Sequence, residues 1–272
     1  SVELFEADDD IGGQFAIARR IPGKEEFAET IRYYRRRIGT TGVKLHLGKR
    51  VGADDVADFD EVVVATGVTP RVPAIPGVER ALSYVDVVRH GAPVGDRVAV
   101  VGAGGIGVDV AEFLTHASSP TLDVARWREE WGVADPEQVR GGVTTPAPSA
   151  PARQVYLVQR KASRIGKGLG KTTGWVHRAA LAAKGVEQVT GVNYERIDDA
   201  GLHVTFGPKR ERPRVLEVDT VVVCAGQESV RDLVDALAGR GVVAHVIGGA
   251  DVAAELDAKR AIDQGTRLAA TL

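Results

Sequence analysis

The sequence predicts an α/β fold of two nested, doubly wound domains, and three features lead to that prediction. Short apolar runs that end in glycine alternate with segments of helical periodicity, as in a parallel sheet covered by helices. A connector over 69–77 carries three prolines and interrupts this alternation. Two further apolar runs near the C-terminus resume the pattern of the first part, so one domain is expected to be inserted into the other.

The first part of the chain is predicted to begin the outer domain. Its helix is expected over 25–38, because Phe27, Ile31, Tyr34 and Ile38 recur at helical spacing. Three apolar or alternating runs are predicted as strands, over 2–5, 43–47 and 61–65.

A second series of elements follows the connector and is predicted to form the inserted domain. Its elements are a strand over 97–101, a helix over about 106–115, a strand over 154–159, a helix over 172–184 and two or three short strands between 186 and 218. Residues 117–153 are predicted to be a surface insertion with one short helix around 124–131, because a structureless loop of this length is uncommon.

The last part of the chain is predicted to return to the outer domain. Two strands are expected over 220–226 and 244–249, followed by a closing helix over 251–268. The predicted domains are therefore 1–80 with 219–272, and 81–218.

The composition excludes several classes of protein. The 272 residues are 44% apolar, which is ample for a buried core, and a net charge of -2 gives no basic balance for nucleic acid. No apolar run approaches the about 20 residues of a membrane span, and the opening residues do not form a signal peptide, so a cytoplasmic location is expected. The one cysteine, Cys224, excludes an intrachain disulfide and an iron–sulfur cluster ligated within this chain, and it is predicted to be a buried, inert thiol. Without a CxxC pair, thioredoxin-reductase chemistry is also excluded, and the histidines show no metal-ligand spacing.

The loop after the first strand of the inserted domain carries the clearest motif. Its residues are Gly102, Gly104, Gly105, Ile106 and Gly107. Gly102 permits the tight turn, Gly104 lets the backbone approach a pyrophosphate, and Gly107 allows close packing of helix against strand. The helix that begins there offers N–H donors and the positive end of its dipole. Alone the motif indicates no more than a tight turn, but between a strand and a helix it predicts a Rossmann-like dinucleotide site.

The next strand bears on which dinucleotide binds. A site for NAD usually places a carboxylate at the end of this strand, where it holds the ribose 2′-hydroxyl. Here the strand ends in Gln159-Arg160-Lys161, with Arg164 close behind, so cations lie where a 2′-phosphate would be. This pattern favours NADPH over NADH, and the alternative is a solvated basic turn.

A second ligand site is predicted in the outer domain. Glu6 ends the first strand, where a dinucleotide-binding fold holds the adenosine ribose with a carboxylate, and the turn at Gly13-Gln14 follows. The turns after two buried strands permit close backbone approach, at Ala65-Thr66-Gly67 and at Gly249. Asp251 begins the predicted closing helix, whose N-terminus can point at a ligand, unless Asp251 is a plain N-cap.

The sequence resembles the bacterial NADPH-dependent 2,4-dienoyl-CoA reductases, flavoproteins of the old-yellow-enzyme and trimethylamine dehydrogenase type. The resemblance covers essentially the whole chain and rests on runs at 6–15, 21–27, 92–95, 168–175 and 247–257. The run Gly168-Leu169-Gly170-Lys171-Thr172-Thr173-Gly174-Trp175 is far more specific than a nucleotide-binding fingerprint.

The resemblance implies an electron path that this chain contains only in part. In that family, which reduces unsaturated acyl-CoA in fatty acid β-oxidation, an N-terminal barrel holds FMN and a cysteine-ligated [4Fe–4S] cluster follows it. The C-terminal part binds FAD and NADPH, and electrons pass from NADPH through FAD, cluster and FMN to the substrate. This chain resembles the C-terminal part, with the barrel, the cluster cysteines and the first strand and GxGxxG of the FAD domain absent. We therefore expect a chain truncated at its N-terminus.

The resemblance also implies residue roles. FAD is expected at Glu6, Gln14, Lys24, Val51 through its backbone, and the turns at Gly67 and Asp251. NADPH is expected at the Gly102–Gly107 loop with Arg160 and Lys161.

Three functions follow as candidates. The leading one is an oxidoreductase module that moves hydride from NADPH to FAD, with its electron acceptor on a missing segment or a separate FMN-barrel and iron–sulfur module. The alternatives are a remnant that binds NADPH without FAD or catalysis, and an electron-transfer subunit of a separate barrel protein. No catalytic side chain and no metal ligand is predicted in this chain.

Overall fold

The computed structural model describes residues 1–254 and 257–272, and these residues form two compact units. Unit 1 comprises Ser1–Ala16, Ala28–Arg71 and Gly226–Leu272, and unit 2 comprises Ile17–Phe27 and Val72–Ala225. The arrangement is a mixed α/β fold in which the second unit interrupts the first along the chain, as predicted. The assignment of FAD and NADPH to 1–80 with 219–272 and to 81–218 stays a prediction.

The strands are numbered in chain order. They are β1 (Glu3–Phe5), β2 (Lys44–His46), β3 (Val62–Val64), β4 (Val68–Pro70), β5 (Leu82–Ser83), β6 (Arg97–Val101), β7 (Gln154–Gln159), β8 (Glu187–Thr190), β9 (Val192–Asp198), β10 (Gly201–Phe206), β11 (Glu211–Leu216), β12 (Thr220–Val223), β13 (Gln227–Ser229) and β14 (Ala244–Val246).

The helices are numbered in the same way. They are α1 (Gly13–Ala18), α2 (Phe27–Thr41), α3 (Ala53–Val56), α4 (Tyr84–Val88), α5 (Gly105–Thr115), α6 (Val124–Trp131), α7 (Gly174–Ala183), α8 (Asp232–Ala238) and α9 (Ala258–Ala269). Short 3₁₀ turns lie at Val78–Arg80, Pro120–Leu122 and Arg140–Gly142.

Unit 2 is built on a five-stranded parallel sheet of order β5-β12-β6-β7-β8. The central strand β6 is fully buried from Val98 to Val101 because side chains pack on both of its faces. This burial on both faces explains its unbroken apolar run. Because β6 lies between β12 and β7, the loop that follows β6 is flanked by the carboxyl ends of both neighbours.

The stretch between 186 and 218 contains four strands rather than the two or three predicted. The first of them, β8, joins the parallel sheet, and the others form an antiparallel sheet of order β11-β10-β9. The strand β11 is exposed at five of its six positions, so it lacks the apolar run by which a buried strand is recognised.

Unit 1 contains two parallel strand pairs, β1 with β2 and β3 with β14. An antiparallel pair, β4 with β13, lies where the chain leaves unit 1 and where it returns. The Arg71 amide donates to the Gly226 carbonyl at 3.0 Å, so the outgoing and returning chains are hydrogen-bonded neighbours. The connector over 69–77 therefore begins as the end of a short strand.

The predicted helix over 251–268 is wrong at its start. The helix α9 begins at Ala258, with the Asp257 side chain accepting a hydrogen bond from the Arg260 amide as N-cap. Asp251 lies in a turn seven residues earlier. Glu255 and Leu256, which belong to this predicted helix and to the run at 247–257, lie outside the described residues.

The insertion over 117–153 contains α6 at the predicted position and is held by a buried polar cluster. Lys184 Nζ lies 3.2 Å from Glu130 Oε1, 3.0 Å from the Ser149 carbonyl oxygen and 2.8 Å from Ser149 Oγ. The side chains of Lys184 and Glu130 are only 3% and 7% exposed. We call this set of three residues the insertion clamp.

Within the part of the chain that the structure describes, no helix is both long enough and apolar enough to cross a membrane.

Candidate functional site

The glycine loop of unit 2 has two kinds of glycine. A Cβ at Gly102 would lie 2.4 Å from the Cys224 carbonyl oxygen, and a Cβ at Gly107 would lie 1.8 Å from the Gly102 carbonyl oxygen. A Cβ at Gly104 or Gly105 would meet nothing within 4 Å. Gly102 and Gly107 therefore allow close packing inside the unit, whereas Gly104 and Gly105 border open space that a ligand could fill.

The loop is fixed to the sheet and opens directly into a helix. The Gly102 amide donates to the Val158 carbonyl of β7 at 2.8 Å, and Gly102 has a φ of 108°, which favours glycine. Helix α5 begins at Gly105 without a side-chain cap, and the partly buried Ile106 packs against the core. The first N–H groups of the helix are therefore available to an anion, and the geometry fits a dinucleotide pyrophosphate.

Two exposed cations follow the end of β7. In the described ranges, neither Arg160 nor Lys161 forms an ion pair with a carboxylate. Tyr194 lies near Arg160, and its hydroxyl donates to the Val158 carbonyl at 3.1 Å. Burial raises the pKa of Tyr194 to about 12, against an opposing effect of the Arg160 charge. The strand end thus presents positive charge and a neutral phenol.

Cys224 lies at the end of β12 in the core of unit 2. Burial, and to a smaller degree the charge of Asp109, raises the pKa of its thiol well above the usual range. This environment fits the predicted inert thiol, because the reactive thiolate is disfavoured.

The structure places part of the predicted FAD site at the end of β1. The Glu6 carboxylate accepts a hydrogen bond from the Asp8 amide at 3.0 Å, and the Glu6 carbonyl accepts one from the Lys49 amide at 2.9 Å. The half-buried Val51 follows two residues later and packs against the core of unit 1. Glu6 and Val51 therefore lie on neighbouring segments, at the carboxyl ends of β1 and β2.

A second group of predicted residues lies at the carboxyl ends of β3 and β14. The Thr66 hydroxyl donates to the Val230 carbonyl at 2.6 Å, and the Val230 amide donates to the Gly67 carbonyl at 3.0 Å. The neighbouring Ser229 hydroxyl donates to the Gly249 carbonyl at 2.6 Å. These bonds hold the turns at Ala65–Gly67 and Gly249 beside one another.

Two of the predicted residues, Asp251 and Lys24, have side-chain partners in the structure. Asp251 is not at a helix N-terminus, and its carboxylate instead accepts a hydrogen bond from Gln264 Nε2 at 2.8 Å. Lys24 does not project freely, since its Nζ lies 2.6 and 2.7 Å from the two oxygens of Asp109. Gly13 begins α1 with a φ of 46°, and Gln14 follows it in that helix with an exposed side chain.

One cluster of charged side chains was not predicted from the sequence. Asp109 and Glu112 lie on α5, and His177 on α7 approaches them with Nδ1 2.9 Å from Glu112 Oε1. A carboxylate oxygen of Asp109, a carboxylate oxygen of Glu112 and a ring nitrogen of His177 all lie within 4.8 Å of one another. The sequence does show two acidic residues three positions apart, directly after the glycine loop. Their partners, however, come from distant positions in the chain and could not be recognised from the sequence.

Comparison with known proteins identifies a family. The family model for pyridine nucleotide-disulphide oxidoreductases matches residues 10–255. A metal reductase of Desulforamulus reducens is 25% identical over 266 residues, covering 92% of this chain and 37% of that protein. A bilirubin reductase of Mediterraneibacter gnavus is 30% identical over 143 residues, covering 51% of this chain and 22% of that protein.

Solved structures share the fold over the whole chain. A 2-naphthoyl-CoA reductase superposes with a TM-score of 0.79 at 23% identity, covering 100% of this chain and 36% of that one. Histamine dehydrogenase from Rhizobium sp. 4-9 gives a TM-score of 0.75 at 20% identity, covering 100% and 40% of the two chains. In each of these comparisons the chain spans less than half the length of the relative.

Proposed function

Because the chain belongs to the flavin-dependent pyridine nucleotide-disulphide oxidoreductase family, we propose that it is an electron-input module with NADPH as the donor and FAD as the acceptor. When bound, NADPH would supply a hydride and FAD would accept it. The observation that supports nucleotide binding most strongly is the glycine loop, in which Gly104 and Gly105 border open space at an uncapped helix N-terminus.

The preference for NADPH is proposed from the end of β7. Arg160 and Lys161 would bind the 2′-phosphate through charge-assisted hydrogen bonds, and they are free to do so because no carboxylate in the described residues neutralises them. A carboxylate at this point would instead repel the phosphate. Gln159 stands at that position, and its amide is already bonded to the Ser163 carbonyl at 2.5 Å.

FAD is proposed to bind unit 1. Glu6 would hold the adenosine ribose, the Val51 backbone would contact the adenine, and the turns at Thr66–Gly67 and Gly249 would approach the cofactor closely. A Cβ at Gly67 would meet nothing within 4 Å, which leaves space for such an approach. We assign Gln14, Lys24 and Asp251 to the FAD site only through the resemblance.

The destination of the electrons is proposed from the resemblance and the relatives. We propose an FMN-barrel and iron–sulfur module, on the same or another polypeptide, that reduces a dienoyl-CoA substrate. The similar 2-naphthoyl-CoA reductase, whose structure holds 2-naphthoyl-CoA, supports an acyl-CoA as the substrate class.

The test is an anaerobic titration of the FAD-reconstituted chain with NADPH and, separately, with NADH. We expect NADPH to bleach the visible flavin absorbance at lower concentrations than NADH, and ferricyanide to restore it. If the chain bound NADPH but not FAD, the result would favour the alternative that it is a nucleotide-binding remnant without catalysis. The 272 residues alone should not reduce a dienoyl-CoA, because one cysteine cannot ligate a [4Fe–4S] cluster.

A further inference from the structure

Four charged side chains of unit 2 form a cluster beyond the glycine loop, which we call the α5 cluster: Lys24, Asp109, Glu112 and His177. Asp109 and Glu112 lie three residues apart on one face of α5. Lys24 Nζ contacts both oxygens of Asp109, at 2.6 and 2.7 Å, and His177 Nδ1 lies 2.9 Å from Glu112 Oε1. The proposed nucleotide site uses none of these carboxylates and does not use the imidazole.

The charge of the α5 cluster depends on one proton. With His177 protonated, two cations balance two anions, and with His177 neutral the cluster carries one net negative charge. The Glu112 side chain is only 7% exposed, so its carboxylate needs a charged or hydrogen-bonding partner. The hydrogen bond to Glu112 raises the pKa of His177 above its usual 6.5, with burial and Lys24 opposing and Asp109 assisting. The adjacent Arg178 on α7 donates to the Gly166 carbonyl at 3.1 Å.

On the proposed binding mode, the α5 cluster lies toward the nicotinamide end of the nucleotide. The sheet order puts β7, with Arg160 after it, on one side of β6, and β12, with Cys224 after it, on the other. If the 2′-phosphate lies over β7, the nicotinamide lies over β12. Asp109 is four residues beyond Gly105, about 6 Å along the helix, and its charge acts on the Cys224 thiol at that side.

We propose that His177 is a specificity-determining residue that sets, through the charge of the α5 cluster, the relative affinity of the site for NADP⁺ and NADPH. This inference rests on the proposed function, because it requires the nucleotide at the glycine loop. The nicotinamide ring is neutral in NADPH and positively charged in NADP⁺. A cluster with a net negative charge therefore favours the oxidised form, and loss of the His177 proton strengthens NADP⁺ binding relative to NADPH.

The experiment measures the Kd of NADP⁺ and of NADPH from about pH 5.5 to 9. The 2′-phosphate is common to both nucleotides, so its titration cancels in the ratio. In the unchanged protein we expect the preference for NADP⁺ to grow by about threefold to tenfold as pH rises through the pKa of His177. His177→Gln should hold the ratio at its high-pH value, and His177→Lys should hold it at its low-pH value.

The control is His203→Gln, which removes a similar histidine–carboxylate pair. His203 Nε2 lies 2.7 Å from Asp198 Oδ1 on the antiparallel sheet, so this variant should retain the pH dependence of the unchanged protein. This inference would be overturned if the ratio of the two Kd values did not change with pH, or if its pH dependence survived in His177→Gln. Either result would leave the proposed function standing. Absence of binding by both nucleotides at every pH would overturn the proposed function itself.

Discussion

Gly105 and Gly107 lie two residues apart, yet a methyl group is expected to have different consequences at the two positions. At Gly107 the new Cβ would lie 1.8 Å from the Gly102 carbonyl oxygen, so the loop or helix must shift. We expect Gly107→Ala to lower the free energy of unfolding by about 1–3 kcal/mol, measured by denaturant titration.

Gly105→Ala is the matched control, since no protein atom lies within 4 Å of its Cβ. It should leave the free energy of unfolding within about 0.5 kcal/mol of the unchanged protein. NADPH affinity should still fall by about tenfold, because the methyl group enters the space proposed for the pyrophosphate. Unchanged NADPH binding in Gly105→Ala would contradict the assignment of the loop.

The cations after β7 allow a second test at the residue scale. Arg160→Ala with Lys161→Ala should weaken NADPH binding by about tenfold or more, since each charge-assisted contact contributes about 1.5–3 kcal/mol when protected from water. NADH binding should barely change. Lys209→Ala, an exposed lysine in the turn between β10 and β11, is a control that should alter neither affinity. Equal losses for both nucleotides would show that the two cations do not hold the 2′-phosphate.

The strand–turn–helix conformation of the glycine loop could be predicted because a single continuous stretch of sequence specifies it. The contact of Glu112 with His177 could not be predicted, because it joins two residues that are 65 positions apart in the sequence and lie on different helices. Asp251 was wrong as a helix start for a local reason. An acidic residue after a Gly-Gly turn has the composition of an N-cap, but α9 begins seven residues after Asp251, at Ala258, with Asp257 as its N-cap.

At the scale of elements, buried strands were predicted best. The bounds of β6 and β7 match the prediction to the residue, because their apolar runs pack on both faces and end at polar or glycine positions. The helix α8 was missed because it is seven residues long and carries one fully buried side chain, Leu237. The number of strands between 186 and 218 was underestimated because an exposed strand such as β11 is stabilised by pairing with β10 rather than by burial, and so lacks an apolar run.

The insertion clamp leads to a prediction about one element. Burial disfavours the charged form of Glu130, but hydrogen bonds from Ser149 and Lys184 hold its pKa below the usual value of 4.5. Lys184→Met would leave this carboxylate buried without its cation, so we expect a loss of about 3 kcal/mol in the free energy of unfolding. Hydrogen exchange should rise most in α6 and around Ser149.

The clamp should also respond to acid. Because the pKa of Glu130 is lowered on folding, its contribution to stability is complete above about pH 4.5 and declines as pH falls through the folded value. Lys184→Met should flatten this dependence, and adding Glu130→Gln should restore part of the lost stability. If Lys184→Met exchanged in α6 like the unchanged protein, the clamp would not hold the insertion.

At the scale of the whole molecule, the two units differ in how their sheets are paired. The buried strand β6 has a hydrogen-bonded partner on each side, whereas the described strands of unit 1 occur in isolated pairs of three-residue strands, two parallel and one antiparallel. We expect the amides of β6, β7 and β12 to be the most protected in hydrogen exchange. The amides of β1, β2, β3 and β14 should exchange faster, and FAD added to unit 1 should slow them. Uniform protection in the absence of FAD would contradict this expectation.

The nested order of the two units was predictable because the buried strands end at glycine or polar residues, and because the proline-rich connector marks where the chain passes from one unit to the other. The unit boundaries were not, since 17–27 belongs to unit 2 although it lies within the first 80 residues. Its place there depends on long-range contacts such as the hydrogen bonds from Arg20 to the carbonyls of Val88 and Arg89.

The hydrogen bond between Arg71 and Gly226 has a consequence for how the protein can evolve. The stretch 72–225, which is all of unit 2 except 17–27, leaves and re-enters unit 1 at adjoining points and is continuous in the sequence. Recombination could exchange that stretch, with its own choice of nucleotide, while the ribbon of β4 and β13 keeps the same ends. On the proposed assignment of the nucleotide to unit 2 and FAD to unit 1, nucleotide specificity and flavin chemistry can therefore evolve separately.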